Sequence, residues 1–305
     1  MRSQGVRTAL AGAALLLLTA CGGHDMTAAE SGSTTHDMAR MPGMGASAPP
    51  GSMPGMSMPG VVMDDGDGLS ATKDGYTLTA LKAPKVAGKP GTLSFTIDGP
   101  ARAAHKEYVL SQTKLLHLYI VRKDLTDYQH VHPKLDATTG VWSVELTVPQ
   151  PGPYHLLAEF TALQPNHSDL DARKLGADFT VGGTYTPAPF TPAFGPWAVD
   201  GYGVALGGQP KVGGADLKLK ITKDGSGVAT LQSYLDSFAH VTGFREGNLK
   251  AVHVHPNEHP TVAAPEGGPE LTLSPVFAET GTYRLFVEFE TLGTLHTVPI
   301  DIAVT

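Results

Sequence analysis

A pattern of three histidines and a proline that occurs twice constrains this chain more than any other feature. In residues 117–133 a histidine is followed thirteen positions later by His-Val-His-Pro, and residues 240–256 repeat that spacing. Residues 152–160 and 281–289 share the further pattern Gly-x-Tyr-x-Leu-x-x-Glu-Phe. Because matching features recur in the same order, the sequence predicts two divergent copies of one domain.

Short apolar or alternating runs between turn residues predict strands throughout both copies, and no run shows helical periodicity. The chain has 36 Gly and 24 Pro in 305 residues, which also favours strands and turns over helices. The predicted fold class is all-β, with two tandem immunoglobulin-like β-sandwich domains after a disordered N-terminal tail. The predicted strands are 76–82, 92–97, 115–122, 142–148, 154–160 and 177–181 in the first copy, and 203–206, 217–222, 240–245, 251–254, 270–277, 283–290 and 295–304 in the second.

Changes in composition along the chain predict five segments. The two sandwiches have about the size of an immunoglobulin-like domain, and the Pro-rich stretch between them reads as a semi-stiff linker. The segments are a signal peptide at 1–20, a disordered tether at 21–70, sandwich 1 at 71–184, a linker at 185–198 and sandwich 2 at 199–305.

The N-terminus has the pattern of a lipoprotein signal. Arg2 and Arg7 precede an apolar run at 9–18, which is too short to span a bilayer, and Leu-Thr-Ala-Cys then ends at Cys21. It resembles bacterial lipoprotein signals, which implies that Cys21 carries the lipid and that the protein is anchored outside the cytoplasmic membrane. An ordinary secretory signal with a chance cysteine is the alternative.

All nine methionines of the chain lie at or before Met63, in the expected tether. Methionine has no packing role in a disordered segment, whereas its thioether sulfur is a soft ligand for Cu(I). We therefore predict metal capture by the tether, with drifting low-complexity sequence as the alternative. The candidate ligands are Met38, Met41, Met44, Met53, Met56 and Met58.

The repeated histidines are candidate metal ligands. In an extended strand, residues two apart point to the same face, so both imidazoles of His-x-His can meet one ion. The earlier histidine of each window fits a neighbouring strand and supplies a third ligand. The candidates are trio 1, which is His117, His130 and His132, and trio 2, which is His240, His253 and His255.

A fourth ligand is expected for trio 2, and a weaker candidate exists for trio 1. His296 opens the last predicted strand, eight residues after Glu288. His167 holds the same spacing from Glu159 but lies in a longer loop, and alignment from the strand ends instead pairs His296 with position 175 or 176. His167 is thus a weaker candidate, and we predict a complete site in the second copy and a partial one in the first.

Structural roles remain an alternative for the repeated histidines, because imidazoles also hydrogen-bond loop carbonyls. The isolated His105, His155 and His259 are assigned packing or solvent-facing roles. Glu159 and Glu288 lie opposite the apolar stripe of their strands, where they can orient ligand imidazoles or face solvent.

These segments resemble secreted or lipid-anchored bacterial proteins described as heavy-metal-binding and associated with copper. The resemblance covers most of residues 76–305 and is carried by the His-x-His-Pro windows and the Gly-x-Tyr segments. It implies a metal-binding β-domain, with the metal left open between copper and zinc.

The remaining sequence features favour a binding protein over an enzyme. No serine-hydrolase elbow, phosphate-binding loop or His-Glu-x-x-His is present. The net charge of −7, without a basic run, argues against nucleic-acid binding. The leading hypothesis is a lipid-anchored protein that binds Cu(I) or Cu(II) for sequestration or transfer, with a copper transporter or oxidase as its partner. A zinc-binding protein, or an extracellular interaction module with structural histidines, is the alternative.

Overall fold

A computed structural model describes residues 66–163 and 170–305. The predictions for the signal peptide, Cys21, the methionine-bearing segment and His167 lie outside these residues. Within them, no helix is long and apolar enough to cross a membrane.

The described residues form strands and no α-helix, so the all-β prediction is confirmed. All of the predicted strands are present, several of them longer than predicted, together with six short ones that the pattern missed. In chain order the strands are β1 Thr72–Lys73, β2 Tyr76–Lys82, β3 Pro90–Asp98, β4 Tyr108–Val109, β5 Leu116–Arg122, β6 Gln129–Val131, β7 Lys134–Leu135, β8 Val141–Thr147, β9 Gly152–Leu163, β10 Leu170–Val181, β11 Trp197–Val199, β12 Tyr202–Gly207, β13 Leu217–Lys223, β14 Ser226–Gly227, β15 His240–Arg245, β16 Ala251–Val254, β17 Glu270–Leu273, β18 Gly281–Thr291 and β19 Thr294–Val304.

Each copy is a sandwich of two antiparallel sheets around its own apolar core. In sandwich 1 the sheet β1-β2-β3-β8-β7 covers the sheet β10-β9-β5-β6, to which β4 adds on β9. In sandwich 2 the sheet β11-β12-β13-β14, with β17 on β13, covers the sheet β16-β15-β18-β19. The core residues of sandwich 1 lie between positions 76 and 181, and those of sandwich 2 between 202 and 304.

A tyrosine at the start of β9 and of β18 fixes the same corner in both copies. The Tyr154 hydroxyl donates to the Gln150 carbonyl at 2.8 Å, and the Tyr283 hydroxyl donates to the Glu279 carbonyl at 2.9 Å. This bond from a buried tyrosine back to the chain a few residues upstream is typical of immunoglobulin-like sandwiches. It explains why the Gly-x-Tyr pattern is repeated.

The two sandwiches pack through the outer faces of the sheets that contain β5 and β15. Every residue of β5 is buried, because one face meets the core of sandwich 1 and the other meets sandwich 2. Across this interface the rings of Tyr128 and Phe286 stack with centroids 4.0 Å apart. The apolar cluster between the sandwiches consists of Tyr119, Val121, Leu125, Leu157, Phe244, Leu249 and Phe286.

The linker is held against both sandwiches. Its Ala188 amide donates to Asp124 of sandwich 1 at 2.8 Å, and its Ala193 amide donates to Asp301 of sandwich 2 at 2.9 Å. Between them Phe190 packs against the apolar cluster of the interface. The Pro-rich stretch therefore acts as a strap rather than as a free spacer.

Removal of the Phe286 ring should destabilise the interface. Phe286→Ala leaves a cavity beside Tyr128, for which losses of about 3–5 kcal/mol are typical. Urea unfolding followed by fluorescence would measure the loss, with Val262→Ala as a control because that side chain is fully exposed. Equal stabilities for the two variants would show that the sandwiches do not pack this way in solution.

Candidate metal centre

The histidines of trio 1 converge on the outer face of β5. His117 is the second residue of β5, and β6 pairs beside it so that His130 lies opposite Tyr119. His117 Nδ1 is 3.1 Å from His130 Nε2 and 3.2 Å from His132 Nε2. The structure therefore brings together the three residues that the spacing selected, and they form a group able to hold a metal ion.

Trio 2 repeats this geometry in sandwich 2. His240 begins β15, and β16 pairs with that strand so that His253 lies opposite Thr242. His240 Nδ1 is 3.3 Å from His253 Nε2 and 3.1 Å from His255 Nε2. These nitrogens also form a group able to hold a metal ion. The same atom types therefore face one another in both copies, so the expected inequality of the two sites was wrong.

Strand alternation places the trios between the sandwiches rather than in the cores. On β5, Leu118 and Ile120 enter the core of sandwich 1, whereas His117, Tyr119 and Val121 point the other way. His117 and His240 are 2% and 0% exposed, although each is on the outer face of its own sheet. Their burial therefore depends on the opposing sandwich.

Glu159 and Glu288 each contact a histidine of the opposite copy. His130 Nδ1 is 2.7 Å from an Oε2 atom of Glu288, and His253 Nδ1 is 2.6 Å from Glu159 Oε2. Both carboxylates therefore contact an imidazole, as the sequence allowed, but each contacts a histidine of the other sandwich.

These hydrogen bonds assign the free nitrogens of trio 1. A carboxylate only accepts, so a neutral His130 ring carries its proton on Nδ1 and presents a lone pair at Nε2. His117 Nε2 lies 3.0 Å from the Ser111 carbonyl, which also only accepts, so His117 presents a lone pair at Nδ1. The two lone pairs face each other at 3.1 Å and repel unless a cation lies between them.

The separations between these nitrogens match those of ligands on one ion. Two imidazole nitrogens about 2.0–2.1 Å from a zinc-sized ion, at a tetrahedral angle, are roughly 3.3 Å apart. The contacts within the trios range from 3.1 to 3.3 Å. In trio 2, His240 Nε2 is buried and has no hydrogen-bond partner among residues 66–163 and 170–305.

Burial favours the neutral form of four of these imidazoles, which is the form that binds metals. Burial lowers the pKa of His117 to about 4, with a further decrease from His130 and an opposing increase from the Ser111 carbonyl. Burial, together with His130 and His117, lowers the pKa of His132 to about 3. In trio 2, burial and the neighbouring imidazoles hold the pKa values of His240 and His255 well below the usual range.

The supporting carboxylate Glu159 stays ionised. Burial raises the pKa of Glu159, but His253 and Lys174 outweigh that effect and lower it below the usual range. An ionised carboxylate beside His253 Nδ1 holds the ring in the tautomer that leaves Nε2 free for a metal.

The prediction of His296 as a fourth ligand was wrong. On β19 it shares its face with the core residues Val298 and Ile300, so it points away from trio 2. Its Nδ1 contacts Asp200 at 2.7 Å and its Nε2 contacts Thr291 at 2.9 Å, in a structural role. The register also corrects the alignment, because the position that corresponds to His296 in sandwich 1 is Arg173.

Several contacts of the site had no clear signal in the sequence. The Tyr119 hydroxyl lies 3.3 Å from His253 Nε2, and the Tyr128 hydroxyl donates to Glu288 at 3.4 Å. Both link one copy to the other, and neither tyrosine has a tyrosine at the matching position of sandwich 2. The isolated His155 has a structural role, with Asp178 and the Gly68 carbonyl as its partners.

Comparison with known families finds one match over most of the chain. A family described as a domain of unknown function, DUF8832, matches residues 71–168 and 197–305, which together make up more than half of the chain. No curated protein matches the chain.

Solved structures that resemble the chain do so distantly. An Escherichia coli alpha-2-macroglobulin activated by porcine elastase is 14% identical, over 75% of this chain and 20% of that one, with a TM-score of 0.23. A titin fragment, A168169, is 9% identical, over 74% of this chain and 95% of that one, with a TM-score of 0.19. The chain thus spans about a fifth of the macroglobulin.

Without metal, the protein should lose stability in mild acid. The unfolded chain takes up a proton at His117 near the ordinary histidine pKa of about 6.5, whereas the folded chain does so only near 4. The free energy of unfolding therefore falls as pH falls through that interval, by up to about 1.4 kcal/mol per pH unit for this group. Urea unfolding in chelator at pH 7, 6 and 5 would show it.

His117→Gln is expected to make this dependence shallower, because the variant lacks one of the groups whose pKa is lowered in the folded chain. His259→Gln is the matched control, since His259 is exposed and lies outside both trios. If the free energy of unfolding of His117→Gln falls with pH as steeply as that of the control, the lowered pKa of His117 is contradicted.

Proposed function

This chain belongs to DUF8832, a family of unknown function, and we propose that it is a copper-binding protein whose two histidine trios hold the metal. Each trio places three imidazole nitrogens within reach of one ion. Imidazole is a good ligand for Cu(II), Cu(I) and Zn(II).

The observation that carries the proposal is the meeting of His117 Nδ1 and His130 Nε2. The two atoms are 3.1 Å apart. The other nitrogen of each ring faces an oxygen that only accepts, the Ser111 carbonyl or the Glu288 carboxylate. With both rings neutral, a purely structural trio would place a donor opposite an acceptor at this contact. A cation between the two lone pairs turns the repulsion into coordination and accounts for the orientation of both rings.

The sequence favours copper over zinc. Soft thioether ligands suit Cu(I), and all the methionines of the chain are in residues 1–63. In this proposal the segment with Met38, Met41, Met44, Met53, Met56 and Met58 captures Cu(I), and the trios hold copper in the folded part. Zinc is the second candidate, because three histidines with an open position also suit that metal.

The proposed location is the outer side of a bacterial membrane, with lipid on Cys21 as the anchor. The role that fits an anchored metal-binding protein is sequestration, or transfer to a membrane-bound copper transporter or oxidase. No sequence motif selects an enzymatic reaction, so the proposal is binding rather than catalysis.

A second candidate is an interaction module in which the trios are structural. His155 and His296 show that this fold does use histidines for internal hydrogen bonds. The two candidates differ in their response to metal, because only a ligand that binds the folded state raises its stability.

Metal titration should reveal two ions bound to the trios. Calorimetry of the metal-free full chain with Cu(II), and separately with Zn(II), is expected to give about two tight equivalents. At about a hundredfold excess over Kd, each ion should add roughly 2.7 kcal/mol of stability and raise Tm.

Each trio should account for one of those equivalents. The triple variant H240A/H253A/H255A is expected to lose one, and H117A/H130A/H132A the other, whereas His259→Ala keeps both. Unchanged stoichiometry in both triple variants, or no rise in Tm with any of the metals, would rule the proposal out in favour of structural trios.

A further inference from the structure

The carboxylate that supports each trio comes from the other sandwich. In its own sheet, Glu159 pairs with His117 of trio 1, and Glu288 pairs with His240 of trio 2. Yet the Glu288 carboxylate contacts His130 of trio 1, and the Glu159 carboxylate contacts His253 of trio 2. The exchange is reciprocal, as it would be about a local two-fold axis.

The trios themselves lie against each other. The ring centroid of His240, in trio 2, is 5.9 Å from that of His117 and 5.6 Å from that of His130, both in trio 1. Tyr119 fills the space beside them, with its ring 4.4 Å from His130 and 5.4 Å from His253. Two ions bound by these rings would therefore be neighbours in one buried compartment.

The charges of the compartment suit bound cations, with one carboxylate for each trio. The imidazoles of the trios are neutral ligands, and two carboxylates, Glu159 and Glu288, lie immediately behind them. Two Cu(I) ions would be balanced by the two carboxylates, and two divalent ions would keep half of the uncompensated charge that they would have in a purely neutral pocket. This matters because burial makes unpaired charge costly.

We propose that the two trios form one dinuclear metal centre, and that Glu159 and Glu288 are positioning residues that each orient the ligand of the opposite copy. This inference rests on the proposed metal binding and adds to it the coupling of the two ions. Each sandwich supplies the three ligands of one ion and the supporting carboxylate of the other.

Electron paramagnetic resonance of the Cu(II)-loaded full chain tests the proximity of the ions. With two equivalents, the spins should couple, which gives a half-field transition and a loss of the isolated Cu(II) signal. The double variant H253A/H255A, which retains buried His240 but only trio 1, should show an isolated signal. Two additive, uncoupled signals in the unaltered protein would overturn the dinuclear centre.

Crossed substitutions test the exchanged carboxylates. In the H253A/H255A background, Glu288→Gln should weaken Cu(II) binding at trio 1 by about 10–100-fold, the usual effect of losing such a partner. Glu159→Gln is the matched control there, because its histidine is already absent. In the H130A/H132A background the roles of the two glutamates should be reversed.

The outcomes separate this inference from the proposed function. If neither double variant binds metal while both keep a cooperative unfolding transition, metal binding by the trios is refuted. If both double variants bind metal, but Cu(II) affinity depends on the glutamate of the same sandwich or on neither glutamate, the exchange of carboxylates is refuted and the metal sites stand. Tm measured in chelator identifies variants that lose affinity because they unfold. For those variants, Glu159→Asp or Glu288→Asp is the milder substitution.

Discussion

The burial of one sheet on both of its faces is the constraint on which this structure depends. An antiparallel sheet commonly packs one face on a core and leaves the other in water. In β5 the second face is also withdrawn from solvent, and it carries His117, Tyr119 and Val121 against the opposing sandwich. The apolar part of that contact drives association, and the polar part then has to be satisfied without water.

The polar groups of the interface are arranged so that each finds its partner on the other side. A buried carboxylate or imidazole without a partner costs several kcal/mol, so a docking that separated Glu288 from His130 would be disfavoured. The apolar stack of Tyr128 on Phe286 sets the two faces together, and the Glu–His pairs admit one relative placement. Stability and site geometry therefore have a common origin.

Much of this could be predicted from the sequence because it is local. Period-two alternation and turn residues located the long strands. The repeated spacing located both trios, whose members lie on, or directly after, strands that are adjacent in the chain. The failure at His296 was also local: positions 296, 298, 300 and 302 alternate as one face, and apolar residues at the last three mark that face as core. His296 was selected for its distance in sequence from Glu288, whereas its position in the alternation of the last strand places it on the core face.

The contacts between the copies could not be predicted in that way. That Glu159 serves His253 rather than its own neighbour His117 follows from how two folded sheets dock, and no spacing within either copy encodes it. The equality of the two trios, in contrast, is local, because the same histidine nitrogens meet within each copy. Comparison of the two copies gave weight to His296, which has no certain counterpart in the first copy. It could not show that each trio receives its carboxylate from the other sandwich.

The strapped linker has a consequence for how the two halves meet. If the sandwiches were separate molecules, their association would depend on dilution. A short connection makes the encounter intramolecular, with an effective local concentration in the millimolar range. Because that connection is rich in proline, it has little freedom to lose on closing, and the Ala188 and Ala193 amides then hold it to both sides. The assembly is therefore independent of protein abundance, as in a symmetric dimer whose two subunits have been fused into one polypeptide.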